Sequence, residues 1–135
     1  MKKMNNKGFS LVELIVVIAI MAVLVGVLAP QFIKYVESSR RSTDVSNAQN
    51  IQSAVLADIA NGVRTGSGSD TLSASGTDGT NVTSIGEVIL GKSNICKDKP
   101  FTFTWNATLG TCSVKLDTWE LTTDSGVKAY KEAEN

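Results

Sequence analysis

One carboxylate, Glu13, lies inside an otherwise uncharged apolar segment, and its chemistry demands an explanation. The segment runs from Phe9 to Phe32, and Glu13 is the one charged side chain in it. An acid within a membrane helix costs about 2.5–3.5 kcal/mol and usually marks function. We therefore expect Glu13 to acquire a positively charged partner when the segment is buried.

A cut just before this segment would make such a partner. The leader that ends at Gly8 includes three lysines but no apolar stretch, whereas an ordinary secretory signal has about 7–15 apolar residues before its cleavage site. Cleavage after Gly8 would therefore keep the apolar segment on the mature chain and create an ammonium group at Phe9. Glu13 lies about one helical turn away, so it could neutralise the ammonium of its own chain.

The apolar segment is also long enough to cross a membrane. A spanning helix needs about 20 residues, and Lys2, Lys3 and Lys7 precede the segment, which predicts a cytoplasmic N-terminus. The remainder of the chain would then lie outside. A simple uncleaved signal anchor would have the same pattern, but it would leave the position of Glu13 unexplained.

The overall composition argues against catalysis and against nucleic-acid binding. The chain has 13 basic and 13 acidic residues and no histidine, so it lacks a basic patch and the commonest general base and metal ligand. We find no nucleophile–base pair, phosphate loop or paired-carboxylate motif. A membrane-anchored enzyme would need one of these, so we predict no enzymatic activity, no cofactor and no metal.

The motif at 7–14, Lys-Gly-Phe-Ser-Leu-Val-Glu-Leu, resembles the class III signal of type IV prepilins. The resemblance implies removal of a leader, residues 1–8, by a prepilin peptidase that cuts between Gly8 and Phe9 and N-methylates Phe9. It also implies that Glu13 of an incoming subunit pairs with the Phe9 amine of a neighbour in a filament. We favour this pairing between subunits over the pairing within one chain.

This resemblance predicts a structural subunit of a type IV pilus, similar to the major pilins of Gram-positive bacteria. Such a subunit is a single-pass precursor in the cytoplasmic (inner) membrane and then part of an extracellular filament used for adhesion, aggregation or twitching motility. The implied partners are copies of itself, the prepilin peptidase, the assembly platform and its ATPase, and minor pilins. The alternative is a pseudopilin of a type II secretion or DNA-uptake system, which shares the same N-terminal pattern.

The spacing of apolar residues predicts one long helix from about residue 9 to 61. After the apolar segment, Val45, Ala48, Ile51, Val55 and Ile59 recur at helical spacing, and Asn61-Gly62 is a stop signal. On this pattern we expect charged residues, including Arg40, Arg41, Asp44 and Asp58, to occupy other faces. Gly26 and Pro30 mark a break, which is either a gentle kink or, by the resemblance, a stretch that loosens in the filament.

The C-terminal half predicts a small antiparallel sheet. Apolar residues alternate with polar ones at 101–105 and 112–116, which predicts a hairpin, and a third strand is expected at Trp119 and Leu121. We interpret residues 62–83 as a polar loop, Ser84 to Glu87 as a capping box that opens a short helix over 88–90, and 126–134 as a terminal helix. The predicted fold is α+β, with a filament-core half at 9–35 and an extracellular head at 36–135.

The sequence raises two further candidate sites, a disulfide and a calcium site. Cys96 and Cys112 would lie in an outward-facing domain where a disulfide is allowed, but Cys96 falls beyond Phe101 and far along the hairpin. Asp70 and Asp78 suggest calcium, yet the sequence around them lacks the alternating oxygen ligands of a calcium loop. Turn formation is the preferred explanation for both aspartates.

Overall fold

The structure is a computed structural model that describes residues 8–73 and 81–134. It has two helices and four strands within those ranges, which confirms the predicted α+β class. In chain order the elements are α1 (Leu11–Ala60), β1 (Ser67–Thr71), β2 (Phe101–Asn106), β3 (Thr111–Leu116), β4 (Trp119–Glu120) and α2 (Asp124–Glu132). The long helix is confirmed, with its observed ends close to the predicted ones.

The chain divides into two compact units, Met1–Val36 and Glu37–Asn135, and the boundary falls within α1. In the first unit, every residue from 8 to 35 is exposed. This part of α1 is long and apolar enough to span a membrane. No other helix among the described residues meets that condition. The helix continues through Gly26 and Pro30 in the isolated chain, although proline removes the hydrogen bond that the Gly26 carbonyl would otherwise accept.

The second unit begins with the remainder of α1, which ends at the predicted stop. Gly62 has a φ of 74°, a left-handed conformation that glycine adopts without a steric penalty. The amides of Gly62 and Val63 donate to the carbonyls of Ile59 (3.1 Å) and Asp58 (2.9 Å). These bonds satisfy carbonyls that the end of a helix leaves without partners.

The strands form one antiparallel sheet in the order β1-β2-β3-β4. The β2–β3 hairpin pairs Phe101 with Leu116 and Trp105 with Cys112, so the predicted alternation is confirmed. β4 follows a turn at Asp117, whose φ of 57° places it in the left-handed region. It supplies the predicted strand at Trp119 but ends at Glu120, so Leu121 lies outside it.

The core of the second unit lies between α1 and one face of the sheet, and α2 closes it. Burying each large apolar side chain contributes about 1.5–3 kcal/mol. The largest fully buried apolar and aromatic side chains are Tyr130, Phe101, Phe103, Ile51, Leu72, Leu116, Leu121, Val55, Val82 and Val114.

Three charged residues of α1 that we expected on other faces are buried, and that expectation was wrong. Arg41, Asp44 and Asp58 are at most 4% exposed, and Glu37 is 5% exposed. Asp44 lies about two helical turns beyond Glu37, and Asp58 lies about four turns beyond Asp44. The carboxylates of Glu37, Asp44 and Asp58 therefore share one side of the helix. Periodicity misassigned them because a buried carboxylate with hydrogen-bond donors looks polar in the sequence.

Asp44 is the most fully bonded of these residues. Its carboxylate accepts hydrogen bonds from the amides of Lys92 (2.7 Å) and Ser93 (3.0 Å) and from the hydroxyl of Tyr130 (2.6 Å). Burial first, and the bond to Asp44 second, raise the pKa of Tyr130 far above its usual value. Asp44 therefore joins α1, the loop at 92–93 and α2 at one buried point.

Glu37 and Arg41 make a second connection at an earlier position on α1. The Glu37 carboxylate accepts from the amide of Asn94 (3.0 Å) and forms an ion pair with Arg41 (3.2 Å). Arg41 also donates to three carbonyls at the end of α2, including those of Tyr130 (3.1 Å) and Ala133 (2.6 Å). A cation at a helix C-terminus is stabilising because the carbonyls there carry partial negative charge.

Two local predictions for the segment between α1 and β2 were wrong. β1 lies inside the stretch that we interpreted as a polar loop, and it is a strand because it pairs with β2, with Ser67 opposite Asn106. No helix forms over 88–90. Leu90 instead makes a bridge with Pro100, and the Gly91 amide donates to the Lys99 carbonyl (2.9 Å). A helix this short has too few bonds to repay its nucleation.

The two cysteines, for which a disulfide was left open, are free thiols in this structure. The Cys96 sulfur contacts the Leu116 carbonyl at 3.9 Å, whereas Cys112 lies near the opposite end of β3. At about 3.3 Å per residue the distance along the strand from Leu116 to Cys112 is about 13 Å, whereas a disulfide needs Cα atoms within about 7 Å. Bonding the pair would require the backbone to move.

We expect replacement of Asp44 to destabilise the second unit strongly. Asp44→Ala removes the acceptor of the buried Ser93 amide and of the partly buried Lys92 amide, and it leaves the Tyr130 hydroxyl with Ser93 alone. An unsatisfied buried donor costs about 1–3 kcal/mol, so the free energy of unfolding should fall by about 3 kcal/mol. Tyr130→Phe removes one hydroxyl and should cost about 1–2 kcal/mol. Trp119 lies 5.8 Å from the Tyr130 ring, so urea unfolding of the full chain in detergent can be followed by tryptophan fluorescence.

The matched control is Glu87→Ala, which removes an exposed carboxylate and should change the free energy of unfolding by less than about 0.5 kcal/mol. Equal effects of Asp44→Ala and Glu87→Ala would contradict the role of Asp44.

Both cysteines should resist alkylation in the folded chain. Burial raises the pKa of the Cys96 thiol and raises the pKa of Cys112 to about 11, and the thiolate is the reactive form. Iodoacetamide at mildly alkaline pH should therefore modify neither cysteine until the protein is unfolded in urea without reductant. Intact-mass spectrometry should then find two alkyl groups. An unfolded, unreduced chain that takes up none would show that the two cysteines are bonded.

Candidate processing and assembly site

The predicted cleavage junction lies just outside the long helix. Gly8, Phe9 and Ser10 are not helical, all three are exposed, and α1 begins at Leu11. The Phe9 side chain is 94% exposed. The peptide bond between Gly8 and Phe9 is therefore accessible in the isolated chain and takes no part in the helix.

Ser10 and Glu13 form a reciprocal pair of hydrogen bonds at the start of α1. The Ser10 amide donates to the Glu13 carboxylate (2.8 Å), and the Glu13 amide donates to the Ser10 hydroxyl (3.2 Å). This is a capping box, which satisfies two of the amides that the first turn of a helix leaves unpaired. The first helical hydrogen bond runs from the Leu14 amide to the Ser10 carbonyl (3.2 Å).

Our sequence reasoning missed this feature, although the signal was present. A serine followed three residues later by a glutamate, directly before an apolar run, is a sequence signature of a helix N-terminus. The charge of Glu13 predicts ion pairing, whereas its spacing from Ser10 predicts the cap. In the structure Glu13 is therefore already a hydrogen-bond acceptor within its own chain.

Glu13 lies beside a shallow apolar recess. The recess has a volume of about 370 Å³ and is lined by Phe9, Val12, Glu13, Val16 and Val17. Apart from the Glu13 carboxylate, all of these side chains are apolar. Any helix that covers the recess would exclude water from the carboxylate, which would raise the cost of leaving it without a cationic partner.

The other predicted site residues lie elsewhere in the chain. Gly26 and Pro30 are both inside α1, and Cys96 and Cys112 are buried in the second unit. Within residues 8–73 and 81–134, no group of three or more potential ligands could hold a metal ion. The aspartate at 78, considered for calcium, and residues 1–7 of the leader lie outside the described residues.

Comparison with known families identifies the segment that contains this site. A family model described as the prokaryotic N-terminal methylation motif matches residues 3–29. The match covers most of the lysine-containing leader, the Gly8–Phe9 junction, Glu13 and most of the apolar half of α1. Searches of curated proteins and of solved structures found no significant match. The layout of the long helix and the four-stranded antiparallel sheet matches the pilin fold. The chain thus carries the signal of a type IV pilin-like or pseudopilin-like prepilin.

Proposed function

We propose that this chain is a structural subunit of a type IV pilus, which is cleaved after Gly8, N-methylated at Phe9 and polymerised into a surface filament. One observation carries the proposal. The first half of α1 is an exposed apolar helix with a single carboxylate near its start, directly after an accessible cleavage junction. The N-terminal methylation motif over the same residues supports this interpretation.

The apolar half of α1 has more exposed surface than a soluble protein tolerates. From Leu11 to Leu28 its large apolar side chains are 49–73% exposed, and a contiguous patch of this kind marks a membrane or protein contact. Before assembly the lipid bilayer covers this surface. In the filament, the same surface is covered by the corresponding helices of other subunits.

Cleavage and Glu13 are linked through charge. Hydrolysis adds water across the Gly8–Phe9 peptide bond, so Gly8 leaves as a carboxylate and Phe9 acquires an ammonium group. Methylation of the nitrogen keeps this charge. Two opposite charges in an apolar filament core are tolerated when they pair, whereas a single one is strongly destabilising.

The Glu13 carboxylate can accept this ammonium without giving up its bond to Ser10. A carboxylate has about four acceptor positions, and the Ser10 amide occupies one of them at 2.8 Å. When a neighbouring subunit supplies the Phe9 ammonium, the pair fixes the axial position of the incoming helix, because a shift along the filament axis would separate these two charges from each other.

Three segments of the chain have different roles in the proposed function. Residues 1–8 are the leader, 9–35 are the membrane and filament-core half, and 36–135 are the extracellular head. The lysines of the leader keep it on the cytoplasmic side, where a prepilin peptidase would act. An assembly platform with its ATPase and minor pilins would complete the machinery.

Glu13 variants should separate processing from assembly. In cells that make filaments, we expect Glu13→Gln to accumulate in the membrane with Phe9 as the first residue and to disappear from the sheared filament fraction. Glu13→Ala, which also loses the hydrogen bond to the Ser10 amide, should disappear from that fraction as well. Loss of one member of a buried ion pair costs about 3–5 kcal/mol per added subunit. Mass spectrometry of the membrane and sheared fractions measures both quantities, and Glu87→Ala is the control with an exposed head carboxylate removed.

Each outcome of this experiment has a defined meaning. An abundant wild-type chain that starts at N-methylated Phe9 in sheared filaments supports the proposal. A processed wild-type chain found in membranes alone would assign it to a pseudopilus or to a minor pilin. A functional protein that retains residues 1–8, or a normal filament yield from Glu13→Ala, would overturn the mechanism.

A further inference from the structure

We propose that Ser10 is a positioning residue for leader cleavage. In this view, the capping box that it forms with Glu13 starts α1 at Leu11 and so holds the Gly8–Phe9 peptide bond outside the helix, where a peptidase can bind it. This inference rests on the proposed function, because it concerns the same cleavage step.

The hydrogen bonds of the cap compete directly with a longer helix. If α1 began earlier, the Glu13 amide would donate to the Phe9 carbonyl, four residues back. In the structure this amide donates instead to the Ser10 hydroxyl (3.2 Å). The Ser10 amide, which would bond toward residue 6 in a longer helix, donates to the Glu13 carboxylate (2.8 Å). Both bonds therefore hold the helix start on the C-terminal side of the scissile bond.

Hydrolysis requires access that a helix would remove. Water must add to the Gly8 carbonyl carbon, the C–N bond must break, and the Phe9 nitrogen must leave with the electron pair and take up protons to become an ammonium. Within a helix, that carbonyl would be bonded to the Val12 amide and enclosed by the turn. In the structure Gly8, Phe9 and Ser10 are exposed and non-helical, as a peptidase substrate must be.

The cap and the charge of Glu13 can be separated by substitution. Glutamine serves in place of glutamate in a capping box, so Glu13→Gln keeps the cap and removes the charge. At Ser10, threonine and asparagine are capping residues, whereas alanine and valine are not. Valine has nearly the shape of threonine, so Ser10→Thr and Ser10→Val form a matched pair that differs in the hydroxyl.

The test is the rate of leader release from the full-length chain in liposomes by a purified prepilin peptidase, measured by mass spectrometry of the Met1–Gly8 fragment. We expect Ser10→Ala and Ser10→Val to be cleaved roughly two- to thirty-fold more slowly than wild type, the range set by loss of an N-cap. Ser10→Thr, Ser10→Asn and Glu13→Gln should be cleaved at close to the wild-type rate.

The outcomes distinguish this inference from the function on which it rests. Absence of wild-type cleavage would overturn both. Normal cleavage of Ser10→Ala and Ser10→Val, with wild type also cleaved, would overturn the role of Ser10. The proposed function as a pilus subunit would not be affected. Slow cleavage of Ser10→Asn together with Ser10→Ala would also overturn it, because the peptidase would then be recognising the serine itself. Tryptophan fluorescence of each variant confirms that the second unit is folded.

Discussion

The cost of placing the Glu13 carboxylate in an apolar helix is the constraint on which the N-terminal part of this molecule depends. Such a charge is tolerated when a cation reaches it, and the proposed leader cleavage at the Gly8–Phe9 junction would make one about a helical turn away. The same carboxylate accepts the Ser10 amide at 2.8 Å, and that bond helps to set where α1 begins. Glu13 takes part in helix initiation, and in the proposed function the same side chain also links leader removal to subunit pairing.

The second half of α1 has a different role, because it stabilises a second unit that is rich in irregular loops. Buried backbone amides need acceptors, and the loop at 92–94 has no sheet neighbour to supply them. Asp44 and Glu37 accept from its amides at 2.7–3.1 Å, and the Asp58 carboxylate accepts from the amide of Thr83 (3.2 Å). One stripe of carboxylates along the helix thus replaces secondary structure that the loop does not form.

Patterns that extend over many residues predicted this fold well, and patterns that depend on a distant partner did not. The long helix, the β2–β3 hairpin and the terminal helix lie close to where their local sequence patterns placed them, and β4 includes Trp119 but not Leu121. β1 has no such pattern, since Ser67–Thr71 contains only glycine, serine, threonine and aspartate. Its strand conformation comes from pairing with β2. The prediction of a helix after the capping box at Ser84 was wrong for a different reason. Its sequence signal is local, but the helix that it would start is too short to be stable.

The sequence by itself determined the chemistry of the N-terminus, because a leader without an apolar stretch, the Gly8–Phe9 junction and the lone carboxylate of the apolar segment are all local in the chain. The tertiary structure alone decided the roles of Glu37, Arg41, Asp44 and Asp58. Whether a charged helical residue faces water or the core depends on the donors and acceptors that meet it. Apart from the Glu37–Arg41 ion pair within the helix, the hydrogen bonds that bury these residues include partners 25 to 92 positions away. No periodicity within the helix carries that information.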